Sequence, residues 1–192
     1  MDFPATSART SVGMSGAEGP GSTVPARRAY VLVLLLDERC EQILMIRKRR
    51  PAWQAGHLNA VGGKIEPGET PLEAAVREVV EETRIELDAA SCEPLCSLEG
   101  DDPDSSFHIE VFRALVATSE LDVAAADPPT DEQLELHSTS ALPDSALDNL
   151  SWLVPLACHT TERYETFAVI ERRSWDLAAV SSPAARVERR RA

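Results

Sequence analysis

No apolar stretch in this 192-residue chain approaches the ~20 residues of a membrane helix; Tyr30–Leu36 is a run of seven. The N-terminus has neither the basic start nor the apolar segment of a secretory leader. The four cysteines, Cys40, Cys92, Cys96 and Cys158, form no CxxC pair. They read as small buried or surface thiols of a reducing, cytoplasmic compartment, not as a disulfide framework. His57, His108, His137 and His159 show no ligand spacing, and no GxSxG or Ser/His/Asp arrangement is present. Positive charge is scarce: 19 Lys+Arg stand against 32 Asp+Glu, a net −13. Such a chain is ill suited to duplex nucleic acid or an anionic membrane. A nucleotide substrate is still compatible with it, because a bound cation supplies the missing charge. No internal repeat is visible.

What is there suits one domain with two tails, and 43% apolar residues are enough for a core. Residues 1–27 hold four of the nine glycines and few large apolar side chains, the composition of a flexible tail. Residues 171–192 carry six Arg against three acids, and read as a solvated basic tail or a short helix. The expected domain is 28–170. Within it, residues 37–148 hold 25 acids and 9 bases. Strands are expected at 30–36, 42–46, 107–117 and 134–137, with a turn at Asp37-Glu38-Arg39. Helices are expected at 71–83 and 149–159. Strands, helix, strands, helix is the order of an α/β or α+β sandwich.

The first helix is marked most clearly. Thr70 suits the cap, Pro71 the first turn, and Glu73 completes a capping box. Leu72, Ala75, Val76, Val79 and Val80 recur at helical spacing, which predicts one apolar stripe. On the other side Glu78, Glu81 and Glu82 converge in the helix's C-terminal half, where like charge and the helix dipole both disfavour them. Arg77 is placed to offset Glu73 and Glu81, and nothing on the helix neutralises Glu78 or Glu82. The cluster is either a solvated acidic face or a site for a hard cation such as Mg²⁺. The preceding loop, Gly62-Gly63-Lys64-Ile65-Glu66-Pro67-Gly68-Glu69, favours the second reading. Pro67-Gly68 suits a type II turn, and Gly62-Gly63 permits close backbone approach.

Gly63, five residues, Glu69, seven residues, then Arg77-Glu78-Val79-Val80-Glu81-Glu82 resembles the signature box of the Nudix hydrolases. One position departs: Arg84 stands where the family usually has the Gly that ends the helix in a left-handed conformation. The resemblance implies a mixed sheet between helices with a loop-helix-loop motif. It also implies Mg²⁺-dependent hydrolysis, with Mn²⁺ as a substitute, of a nucleoside diphosphate linked to another group. By family role Glu78 and Glu82 would be metal ligands, Glu81 a ligand or a contributor to water activation, and the Gly62 carbonyl a further contact. Arg77 would orient Glu69 and the acidic cluster.

Softer similarities point to the MutT-like oxidised-purine triphosphatases. The segment from Trp53 to Lys64 looks like the one that brings an aromatic and an Asn to the base, so Asn59 would read a purine edge and Trp53 would line the pocket. Leu58 replaces an aromatic often found there. Glu132 would supply a further metal-site carboxylate or remain solvated. Trp152 would close the pocket or pack into the core. Arg49 and Arg50 would reach phosphates, or simply end a strand. The activity implied first is cleavage of a (d)NTP or oxidised (d)NTP to the monophosphate and pyrophosphate. The alternatives are an ADP-ribose or dinucleotide pyrophosphatase, or a nucleotide-sensing domain without turnover. The partner is a nucleotide, with no duplex nucleic acid or membrane, and the chain is a monomer or homodimer.

Overall fold

The computed structural model describes residues 28–102, 105–159, 167–170 and 186–189. The expected tail at 1–27 lies outside them. Of the basic segment 171–192 only Arg186–Arg189 is described, and its backbone is a strand.

Eight strands form one mixed sheet: β1 (Arg28–Asp37), β2 (Gln42–Arg47), β3 (Leu58–Asn59), β4 (Cys92–Asp102), β5 (Ser105–Val116), β6 (Gln133–Ser138), β7 (Phe167–Ile170) and β8 (Arg186–Arg189). The order is β3-β2-β1-β5-β4-β7-β8, with β6 on the other edge of β2. β1 runs parallel to β5 from Arg28↔Phe107 to Asp37↔Val116. Three helices complete the described chain: α1 (Pro71–Thr83), α2 (Thr118–Ala126) and α3 (Leu150–His159).

β1 explains the unbroken apolar run. Val31, Val33 and Leu35 pack with α1 and α2 residues on one face, while Leu32, Leu34 and Leu36 pack with α3 residues on the other. A strand buried on both faces needs no polar alternation. β2 divides likewise, Leu44 and Ile46 to one side and Ile43 and Met45 to the other. The result is the sandwich expected from the element order. The β1–β2 turn closes on Asp37, whose buried carboxylate accepts from the Glu41 and Gln42 amides at 2.7 and 2.8 Å.

The feature that places the site is a fork between β1 and β2. They pair only at Leu35↔Leu44 and Leu36↔Ile43. Beyond that the chain from Leu58 fills the gap, first pairing with β2 through β3, then bridging to β1 at Val33↔Val61 and Tyr30↔Lys64. Gly62-Gly63 is thereby laid along β1, below α1.

α1 begins as expected. Thr70 Oγ1 accepts from the Glu73 amide at 3.3 Å and the Glu73 carboxylate accepts from the Thr70 amide at 2.8 Å. One expectation is corrected. Val80 is 40% exposed, whereas Ala74, Ala75, Val79 and Thr83 are buried. The buried arc is centred between the 75–79–83 row and the 74–78–82 row. It therefore leaves Val80 outside and draws Glu78 and Glu82 to its edge.

The helix ends with Arg84 at φ 62°, its amide donating to the Val80 carbonyl at 2.9 Å. The left-handed exit is kept without glycine, at a cost of ~1 kcal/mol. The exposed Arg84–Asp127 ion pair at 2.8 Å returns a fraction of that. Replacing Arg84 by Gly should raise stability by up to ~1 kcal/mol, read as a melting-temperature rise of ~2–4 °C.

Candidate active site

Gly62 has φ 151°, and a Cβ there would drive into the Val31 carbonyl oxygen. A Cβ on Gly63 would collide with the Glu78 carboxylate. The absent side chain at Gly62 lets the loop lie against the β1 backbone, and that at Gly63 leaves room for the Glu78 carboxylate. The carbonyls of Val61 and Gly63 accept from the Val33 and Val31 amides. Gly62 turns the other way, its amide donating to Glu82 Oε2 at 3.0 Å.

Arg77 organises the first group of carboxylates. Its Nε and Nη2 hold Glu69 at 2.8 and 3.0 Å, and Nη2 also donates to the Lys64 carbonyl at 3.0 Å. Its Nη1 reaches Glu78 at 2.8 Å and Glu81 at 3.1 Å. The two-pronged grip on Glu69 holds that carboxyl below the usual range, helped by the Glu66 amide across the 66–69 turn. Gly68, at φ 87°, fills the turn position that requires a positive φ. Arg77 itself is raised by Glu69 first, then by Glu78. Glu73, expected to share Arg77, is instead engaged in the cap, and Thr70 lowers its pKa.

The second group is gathered by a residue the sequence reading passed over. Lys48 Nζ lies 3.1 Å from Glu82 Oε1 and 2.9 Å from Glu132 Oε2. Its side chain and both carboxylates are almost buried, at 13–14% exposure. Glu132 Oε1 also accepts from the Arg49 amide at 2.9 Å. Burial pushes the Glu82 carboxyl up despite Lys48 and the Gly62 amide. Burial alone would lower Lys48, but Glu82 and Glu132 together outweigh it and raise it. Lys48 sits within the basic cluster 47–50, so its presence was legible and its partners were not. Of its neighbours, Arg47 is bound to Glu135, and Arg49 pairs with Asp131 at the surface.

Beside these groups lies a cavity of about 450 Å³. Lys48, Arg50, Trp53, Asn59, Gly62, Gly63 and Asn149 are among its lining residues. Trp53 is 42% exposed at this cavity. Asn59 Oδ1 accepts from the Ala60 amide at 2.9 Å, leaving its NH₂ as the group on offer. Three candidate residues are not brought to this cavity. Trp152, in α3, is partly buried against the core. Arg49 is exposed on Asp131, and Lys64 is exposed, contributing its carbonyl to Arg77.

Asn149 was also missed. It precedes α3, where an Asn side chain would ordinarily accept from a first-turn amide. Its Oδ1 has no hydrogen-bond partner among the described residues, although Asn149 is only 9% exposed. A buried acceptor without a partner costs ~1–3 kcal/mol.

The donor set suits a hard divalent cation: Glu78, Glu82 and Glu132 carboxylates beside the half-buried backbone at Gly62. Among the described residues no three acidic, imidazole or thiol side chains stand together as a finished ligand set. The buried ammonium of Lys48 is what draws Glu82 and Glu132 together, a positive charge between two carboxylates where a cation would be expected. The cysteines take no part: all four are free, and burial pushes Cys92 and Cys96 up to about 11 and about 12.

A model of the NUDIX domain family matches residues 26–154. A Bacillus subtilis (strain 168) protein named "Putative 8-oxo-dGTP diphosphatase" is 43% identical over 51 residues, covering 27% of this chain and 31% of that protein. The MutT protein structure from Bacillus halodurans superposes with a TM-score of 0.58 at 19% identity, covering 84% of this chain and 97% of that one. A MutT NUDIX hydrolase structure from Burkholderia pseudomallei gives 0.55 at 20% identity, covering 68% and 98%. At these identities the structures speak to the fold.

Proposed function

The chain belongs to the Nudix family, and on that premise we propose that it is a divalent-metal-dependent hydrolase that cleaves a nucleoside triphosphate to the monophosphate and pyrophosphate. The observation that carries this reading is the junction of two features: a nucleotide-sized cavity, and a helix edge bearing part-buried carboxylates that share Lys48, Gly62 and Gly63 with it. Glu78, Glu82 and Glu132 would hold the cation, with the Gly62 carbonyl as a further contact. When bound, the cation neutralises the phosphates and lowers the pKa of the attacking water.

This chain's own residues do the rest. Arg28, Lys48 and Arg50 line the cavity and offset phosphate charge within a strongly acidic protein. Glu81, 59% exposed and steadied by Arg77, is freer to solvent than Glu78 or Glu82. It takes the proton from the attacking water as the P–O bond to the pyrophosphate leaving group breaks. The Arg77–Glu69 grip fixes the loop against α1, so that these groups need not reorganise during reaction. Trp53 adds an aromatic side chain to the cavity wall.

Asn59 offers its NH₂ at the cavity wall, and the occluded Asn149 Oδ1 would reach a ligand by rotation of its side chain, a donor and an acceptor for a base edge that presents an acceptor and an N–H. The B. subtilis relative, named for 8-oxo-dGTP, favours a purine. Replacing Asn149 by Leu removes an unmet acceptor, so the melting temperature should hold or rise. KM for the preferred nucleotide should increase ~10-fold through the lost hydrogen bond. An unchanged KM would detach Asn149 from recognition.

The decisive assay is release of pyrophosphate from a panel of (d)NTPs and oxidised (d)NTPs with and without Mg²⁺. Magnesium-dependent pyrophosphate and monophosphate are expected. Turnover confined to ADP-ribose or dinucleotides would reassign the substrate, and none with any of these would remove the enzymatic reading.

A further inference from the structure

We propose that Lys48 is the site's own counter-ion: its ammonium holds Glu82 and Glu132 together until a divalent cation enters, and it must release them for the cation to bind. This rests on reading the carboxylates as a metal centre.

Three features separate Lys48 from an ordinary structural ion pair. First, each carboxylate has a second anchor that survives its departure, Glu82 on the Gly62 amide at 3.0 Å and Glu132 on the Arg49 amide at 2.9 Å. Second, the Lys48 backbone is fixed on both sides, its amide to the His57 carbonyl and its carbonyl to the Gly56 amide, each at 2.9 Å. Motion is therefore confined to the flexible four-carbon stem. Third, Lys48 lines the 450 Å³ cavity, which gives the displaced ammonium somewhere to go.

Arg77 shows the contrast. Its guanidinium is held by Glu69 in two-pronged fashion and by the Lys64 carbonyl, so it cannot leave one carboxylate without breaking several bonds. The site thus has one fixed cation and one exchangeable cation. Two positive charges cannot share the same almost buried pair of carboxylates without strong repulsion. Lys48 therefore weakens metal binding in the free protein while keeping Glu82 and Glu132 positioned for it.

The test uses the full chain without nucleotide. Mn²⁺ affinity, measured by electron paramagnetic resonance, should be at least ~10-fold tighter in Lys48→Met, whose neutral stem fills similar space, than in the native protein. Lys48→Arg keeps the charge and should stay near the native value. As a second readout on the native protein, acylation of the Lys48 amine, followed by mass spectrometry, should accelerate several-fold on saturation with Mn²⁺. Equal or weaker Mn²⁺ binding by a folded Lys48→Met protein would overturn the proposal, as would Lys48 labelling indifferent to Mn²⁺, while leaving the metal centre standing. No Mn²⁺ binding by any form would overturn the metal centre itself, and this proposal with it.

Discussion

Substituting Glu82 by Gln should lower kcat by at least ~100-fold while leaving the protein folded, a barrier increase of ~2.7 kcal/mol or more. Glu82 is the carboxylate on which the loop, the helix and β2's basic end meet. Its Oε2 takes the Gly62 amide and its Oε1 takes Lys48. Glutamine keeps the shape and can still accept from one of these donors, but it removes the negative charge that would hold a cation. The fold should tolerate the change because Lys48 retains Glu132 at 2.9 Å. Burial already disfavours the ionised Glu82, so neutralising it relieves some cost. A matched control is Glu73→Gln, whose carboxylate serves only the Thr70 cap and whose loss should affect stability more than turnover. Steady-state kinetics beside thermal unfolding separates the two. Near-native turnover in Glu82→Gln would dismantle the assigned site.

Why Glu82 could be singled out from sequence, and Lys48 could not, comes down to distance along the chain. α1 is written in local signals: a cap, a proline, a capping-box glutamate and a helical apolar period, all within one segment. Those signals also put Glu78, Glu81 and Glu82 on one side. The partners of Glu82 and Glu132 are settled by tertiary placement, since Lys48 is 34 residues from the first and 84 from the second. Val80 was misplaced because periodicity defines a stripe but not which side of it the sheet will cover. β4 escaped notice because its pairing slips between Pro94 and Cys96, which breaks the two-residue alternation. α2 buries only Leu121 and Ala124, too few for a readable face. Trp152 illustrates the limit of motif likeness: its neighbourhood resembled a pocket wall, yet the orientation of α3 turns it to the core and gives the cavity Asn149 instead.

The adjacent glycines should separate folding from chemistry. At Gly62 an added methyl meets backbone: the Val31 carbonyl oxygen, and the Leu32 Cα at 3.0 Å, at a φ of 151° that side chains rarely adopt. Backbone cannot step aside without opening the β1 pairing, so Gly62→Ala should cost ~2–4 kcal/mol of stability. At Gly63 the three atoms nearest the added methyl all belong to the Glu78 carboxylate, the far end of a flexible side chain. That carboxylate can rotate away, so Gly63→Ala should lose less than ~1 kcal/mol, within the range of an ordinary tolerated substitution. Rotation, however, carries Glu78 off the loop and out of its 2.8 Å contact with Arg77. A displacement of ~1 Å in a positioned group costs ~100-fold in rate. The expected pair of results is a protein that unfolds early, and a protein that melts normally but scarcely turns over. If Gly63→Ala proved fully active, Glu78 would have no part in the chemistry, and the cation would have to be held by Glu82 and Glu132 without it.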